Sequence, residues 1–193
     1  MSLGRRKFIY LTGGCLIGSS TETSCGWFSR AFPSNEKVPG IPQQWVDLKG
    51  DDVYMYANYI LSLDLKNITP RMVLESHFKS RGRVVNDLPP RKDWKKIIPT
   101  LQVIDKISCD TGMQVKEILS AYRSPKYNRA VRGKSQSLHM SNQAIDVRFK
   151  NVSSWRVARI VRDYRDKKKT FEGGIGTYSS FVHIDTRGEN VDW

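Results

Sequence analysis

The sequence predicts an α+β fold, a small mixed or antiparallel sheet with helices packed on it. Helical patterns come first and strand patterns come later along the chain. At 193 residues with 39% hydrophobic residues, the chain has material for one globular domain plus an extension.

Residues 1–25 read as an export signal. Arg5-Arg6-Lys7-Phe8-Ile9 opens a short apolar stretch ending in Gly18-Ser19-Ser20. The paired arginines resemble a twin-arginine signal, which implies transfer to the periplasm by that pathway. A lipid anchor at Cys15 is the weaker option, because the apolar run continues through Leu16 and Ile17. Membrane contact is expected only through this segment. Residues 26–50, with Pro33, Pro39 and Pro42, read as a linker with little regular structure.

The domain is expected over residues 51–193, with its site-bearing part at about 115–193. Val53, Tyr56, Ile60 and Leu61 have helical spacing. Thr69-Pro70 is a helix start, with Thr as cap and Pro in the first turn. After the break at Asp87-Leu-Pro-Pro-Arg91, Trp94, Ile97, Leu101, Ile104 and Ile107 mark another helix, whose second part begins at Pro99. Val115 to Tyr122 reads as a strand. Ala144 to Phe149 reads as a second, with Ile145, Val147 and Phe149 on one face and Asp146 and Arg148 on the other. Ser153 can cap a helix running to about Lys168 with a stripe of Val157, Ile160, Val161 and Tyr164. Residues 173–178 and 180–186 read as a final hairpin.

Charge and cysteine content narrow the setting. With 32 Lys and Arg against 19 Asp and Glu, the net charge of +13 predicts attraction to nucleic acid, acidic lipid or an acidic wall polymer. No nucleic-acid motif accompanies the charge, so a nucleic-acid partner is not expected. The three cysteines, Cys15, Cys25 and Cys109, supply neither a disulfide framework nor a thiolate zinc site. A Cys25–Cys109 bridge requires that Cys25 survive processing.

Two phrases carry chemistry: Ser137-Leu-His139-Met-Ser-Asn-Gln-Ala144-Ile-Asp146 and Phe181-Val-His183-Ile-Asp185. Two imidazoles and a carboxylate make the ligand count of a catalytic zinc site with one position open. Asp146 projects from the polar face of its strand, where a lone buried carboxylate is costly. His183 and Asp185 are two apart and share a strand face, while Val182 and Ile184 face a core. Zinc held there would lower the pKa of a water to about 7 and generate a nucleophile. By spacing alone, the same residues also fit ordinary surface histidines beside acids.

The wider order is Ser120-Ala-Tyr122-Arg123-Ser124-Pro125, Asn128, Gly133, Ser137-x-His139, Ala144-x-Asp146 and Phe181-Val-His183-x-Asp185. It resembles the zinc D-alanyl-D-alanine peptidase family, cell-wall peptidases that share a fold with the hedgehog signalling domain. The closest branch is the exported murein endopeptidases, which cut L,D- or D,D-bonds; their chains close much like Gly173-Gly174-Ile175-Gly176 … His183-Ile184-Asp185 … Trp193. The resemblance implies a periplasmic peptidase acting on peptidoglycan stem peptides or cross-links through a zinc-activated water. It implies one Zn2+ per chain on His139, Asp146 and His183. It makes Arg123 the residue that holds substrate and stabilises charge on the tetrahedral intermediate, and Ser137 a substrate hydrogen bonder.

Two departures stand out. Asn142 replaces the usual Gly, a mild change because Asn tolerates left-handed backbone. Ser180 stands where the dipeptidase branches carry Glu or Asp as general base, and Ser does not accept a proton at neutral pH. Asp185 is then either the base or the orienter of His183. The missing acid leaves a non-catalytic wall-binding module with structural zinc as the alternative. His77 matches nothing in the family and reads as structural, and Lys167-Lys168-Lys169 reads as a solvated helix end.

Overall fold

The structure is a computed structural model and describes residues 37–193. The twin-arginine-like segment, Cys15, Cys25 and the first part of the expected linker lie outside the described residues. Cys109 is exposed, with a free thiol.

The first half builds a helical layer. Helix α1 (Gln43–Lys49) occupies part of the stretch expected to be an irregular linker. Pro42 and Gly50 (φ +73°) bound it, and Trp45 stacks on Phe78 at 4.3 Å. Seven residues are too few for periodicity to announce a helix, so only the flanking breakers were visible. Helix α2 (Asp52–Leu61) buries Val53, Tyr56, Ala57 and Ile60. Leu61, expected on that stripe, is 53% exposed because it falls at the helix end and past the buried arc.

Helix α3 (Pro70–Glu75) is capped as expected: the Thr69 hydroxyl accepts from Met72 N, and Pro70 sits where no intrahelical bond is lost. A short hairpin of β1 (Ser80–Arg81) and β2 (Val84–Val85) follows. A 3₁₀ stretch, Arg91–Ile97, leads into α4 (Ile98–Thr111) with Pro99 in its first turn. Ile97, Leu101, Ile104 and Ile107 form its buried stripe, and Gly112 ends it in the left-handed conformation (φ +69°).

The second half is a five-stranded sheet in the order β3 (Val115–Ser120), β4 (Ala144–Phe149), β6 (Val182–Asp185), β5 (Gly174–Thr177), β7 (Val191–Asp192). All pairs are antiparallel except β5–β7, which is parallel. The expected final hairpin, β5–β6, is therefore not the last element. The two residues of β7 are too few to signal a strand alone, and they pair through Trp193 N to Ile175 O and Thr177 N to Trp193 O. Helix α5 (Pro125–Ala130) is capped by the Ser124 hydroxyl. Helix α6 (Ser154–Arg162) is capped by Ser153 and continues as a π-helical turn through Lys167. Helices α4 and α6 pack on the sheet, and Ile145, Val147, Ile175, Val182 and Ile184 fill the core beneath them.

Register decides what the sheet presents. Asp146 lies opposite His183, Ile145 opposite Ile184, and Ala144 opposite Asp185. Ser120 lies opposite Asp146 on the other side. A slip of one residue would turn the Ile145–Ile184 face outward and drive the acids into the core, so burial of the aliphatic face enforces the pairing.

Candidate metal centre

Three elements deliver three side-chain donors to one point. His139 comes from the 3₁₀ turn Leu138–Ser141, Asp146 from mid-β4 and His183 from mid-β6. All three are buried, at 3%, 4% and 7% exposure. His139 Nε2 is 3.2 Å from Asp146 Oδ1 and 3.2 Å from His183 Nδ1, and His183 Nδ1 is 2.9 Å from Asp146 Oδ1. Among the described residues they form a group able to hold a metal ion.

The hydrogen bonds around the rings identify the faces turned inward. His139 Nδ1 lies 2.7 Å from the Ala121 carbonyl, which can only accept, so Nδ1 carries the proton and Nε2 is a bare lone pair. His183 Nε2 lies 3.1 Å from Asp185 Oδ2, which leaves Nδ1 as its lone pair. With both rings neutral, two lone pairs and a carboxylate oxygen converge here, and together they call for a cation, either a proton on His183 Nδ1 or a metal ion. Donors held tetrahedrally around Zn2+ at about 2.0–2.1 Å stand roughly 3.3 Å apart, close to the spacings seen here. The residues fit the metal.

The electrostatics agree. Burial would raise the Asp146 carboxyl, but His139 and His183 outweigh it and hold it far below the ordinary carboxylate range. Burial lowers His139, with Asp146 opposing. Burial also pulls on His183, yet bonds to Asp146 and Asp185 carry it above its ordinary value. Two carboxylates thus favour positive charge at this point.

Behind His183, Asp185 is fully buried. Its Oδ1 accepts from Gly174 N at 3.0 Å and Arg187 Nε at 2.8 Å, and its Oδ2 from Arg187 Nη2 at 2.6 Å. Burial opposes ionisation, but Arg187, His183 and the Gly174 N–H keep it ionised. It stands on the side of the ring away from the three converging donors. Arg123 follows β3; its Nη2 donates to Asp146 Oδ2 at 2.5 Å and its Nε to the Ser120 hydroxyl at 2.7 Å. Each Asp146 oxygen therefore has its own task, one toward the histidines and one toward the guanidinium.

The donors open into a cleft of about 590 Å³ whose walls include Arg123, Ser137, Arg187 and Trp193. The Ser137 hydroxyl caps nothing, although its residue precedes the turn. The Trp193 indole lies 5.1 Å from the His183 ring and donates to the Tyr178 hydroxyl at 3.0 Å. Gly176 lets it approach: a Cβ there would meet the indole nitrogen at 2.6 Å. Ser180 offers its carbonyl and hydroxyl to Arg148. Among the described residues, Asp146 is the one carboxylate lining the cleft.

A family model for Peptidase M15 matches residues 70–185, which span every donor just described. The chain belongs to the peptidase M15 family. Comparisons with curated proteins and with solved structures return no match. Membership in the peptidase M15 family makes this a zinc metallopeptidase on an α+β fold.

Of the residues expected at the site, Arg123, Ser137, His139, Asp146 and His183 line this cleft, and Asp185 stands behind His183. Sequence reasoning assigned no role to Arg187, which clamps Asp185, or to Trp193, which walls the cleft. Arg187 shares a strand-face parity with Asp185, but nothing distinguishes it among 32 Lys and Arg.

Proposed function

We propose that this protein is an exported zinc peptidase that hydrolyses peptide bonds in peptidoglycan stem peptides or cross-links, in the periplasm. The observation that carries the reading is the convergence of two imidazole nitrogens and a carboxylate oxygen, all within 3.2 Å of one another, in the wall of an open cleft. His139, Asp146 and His183 would hold one Zn2+. That ion, when bound, supplies Lewis acidity that activates water and polarises a carbonyl.

The remaining residues divide the work. Asp185 positions His183 and fixes its tautomer; its burial and its clamp by Arg187 argue against a role as proton acceptor. Arg123 brings a cation to the cleft wall, where negative charge develops on the substrate oxygen. Ser137 offers a free hydroxyl to the peptide. The twin-arginine-like Arg5-Arg6 supports export, and the charge of +13 suits an anionic wall polymer. The endopeptidase branch, D,D- or L,D-, and a carboxypeptidase specificity are both compatible with this cleft.

Mass spectrometry of muropeptides released from purified sacculi tests the reading. Wild type with zinc should release products, and His183→Ala should not. The second reading, a wall-binding module with structural zinc, draws on the absence of a second carboxylate from the cleft among the described residues. Sacculus binding with no altered muropeptide would select it.

A further inference from the structure

The metal cleft is one of three adjoining cavities. A smaller cavity of about 270 Å³ shares Arg123, Val131, Asp146 and Phe181 with it. The smaller cavity shares Arg148, Ser180 and Phe181 with a third of about 600 Å³, which reaches from the end of β4 to the start of α6. Phe181 lines all three, so they adjoin around it as a segmented groove, and the metal donors line its first segment.

The charge along this groove is one-sided. Beyond Phe181 the walls carry Lys116, Arg148 and Lys150 and no carboxylate. On the far side of the donors stand Arg132, Lys134 and Arg187, and the one acid is Asp146 of the metal centre. The whole chain has 19 acids to 32 Lys and Arg, so the groove departs from the chain's own average. A cavity of similar size, about 590 Å³ between Pro99 and Phe171, mixes Lys106 and Lys169 with Glu172.

The distal cations remain available. Lys150 Nζ reaches only the neutral Gln114 Oε1, at 3.1 Å, and among the described residues neither Lys116 nor Lys150 has an ion-pair partner. Arg148 is shared with Glu117 and braced by Ser180, which makes it a fixed wall. The half-buried Val152 and Phe181 line the same cavity as these charges.

We infer that this arm binds the acidic portion of an extended peptide substrate, laid across Phe181 with carboxylates toward Lys116 and Lys150. Apolar surface in the same cavity as the cations suits peptide side chains better than a uniformly charged polyanion. The inference rests on the peptidase reading for its substrate, but it is tested by binding alone. A catalytically silent protein therefore still tests the arm.

The experiment is fluorescence anisotropy of the full chain with a labelled short peptide rich in glutamate, and with its glutamine analogue. Wild type should favour the acidic peptide by about tenfold or more, the factor that a charge-assisted contact supplies. Lys116→Glu with Lys150→Glu should remove that preference, and the milder Lys116→Gln with Lys150→Gln should reduce it if the reversal fails to fold. Lys167→Glu with Lys169→Glu makes the same change in net charge elsewhere and should leave the preference intact. Equal binding of the two peptides, or equal loss in both reversal variants, would overturn the inference. So would inorganic polyphosphate binding in a Lys116- and Lys150-dependent manner more tightly than the acidic peptide, because a generic polyanion site would then suffice.

Discussion

His77 in the helical layer and His139 with His183 on the sheet are all buried, yet their surroundings oppose each other. His77 packs between the rings of Tyr56 and Tyr122, at 5.6 and 6.5 Å, with no carboxylate in contact among the described residues. Burial pushes its pKa down to about 3, outweighing a backbone contact from Tyr122 and the field of Asp87. The sheet histidines meet Asp146, and His183 meets Asp185 as well. Burial alone makes an imidazole neutral and inert. Burial between ionised carboxylates, with lone pairs turned toward one another, makes a place for a cation.

The largest effect that can break this contrast is removal of a donor. His139→Ala should abolish zinc binding by metal analysis and turnover of muropeptides together, while near-native circular dichroism is retained. Zinc stoichiometry unchanged in that variant would sink the metal centre. Next is Arg123→Ala, expected to cost on the order of 10²–10³ in turnover, the scale for a lost donor to developing charge. A loss confined to KM would instead reduce Arg123 to binding.

Asp185→Asn sharpens the contrast further, because it removes the carboxylate behind His183 and leaves the three donors in place. Zinc affinity, measured by competition with a chelator, should fall by about 10–100-fold. Full turnover with unchanged affinity would exclude both roles considered for Asp185.

The smallest effect belongs to the helical layer. His77→Phe should leave zinc content and neutral-pH turnover unchanged, with stability altered by less than about 1.5 kcal/mol. Its signature is in acid. The folded-state pKa of His77 lies below its unfolded value, so the unfolded chain takes up a proton that the folded chain refuses. Stability contributed by neutral His77 is complete above the unfolded value of 6.5 and is lost as pH falls from there toward about 3. The slope approaches about 1.4 kcal/mol per pH unit, and the Phe variant should lose that component in urea titrations across pH. Parallel profiles for the two proteins would show that His77 is not the group that titrates.

Much of this was legible in the chain. Alternation placed Asp146 and Arg148 opposite Ile145, Val147 and Phe149, and in β4 the three apolar residues join the core while Asp146 meets Arg123 and Arg148 meets Glu117. The Thr69 and Ser153 caps were readable because capping is a local bond to a backbone N–H two or three residues on. Helix α1 and strand β7 were not readable, because each is too short for a period and is held by distant partners, Phe78 and Ile175. The role of Asp185 stayed open in sequence for the same reason. Sharing a face with His183 does not say which ring nitrogen it meets.

By itself, then, the sequence determined the donor types, the strand faces they occupy and the family in which those residues recur. A face is set by local backbone geometry, and the alternation of Phe181 to Asp185 records it. Only the tertiary structure decided that Asp146 stands opposite His183, that the lone pairs point inward, and that Arg187 and Trp193 enclose the site. Those facts depend on register and packing between segments far apart in the chain. Register is chosen by burial of the opposite, aliphatic face, so the chemical face is placed by residues that take no part in the chemistry.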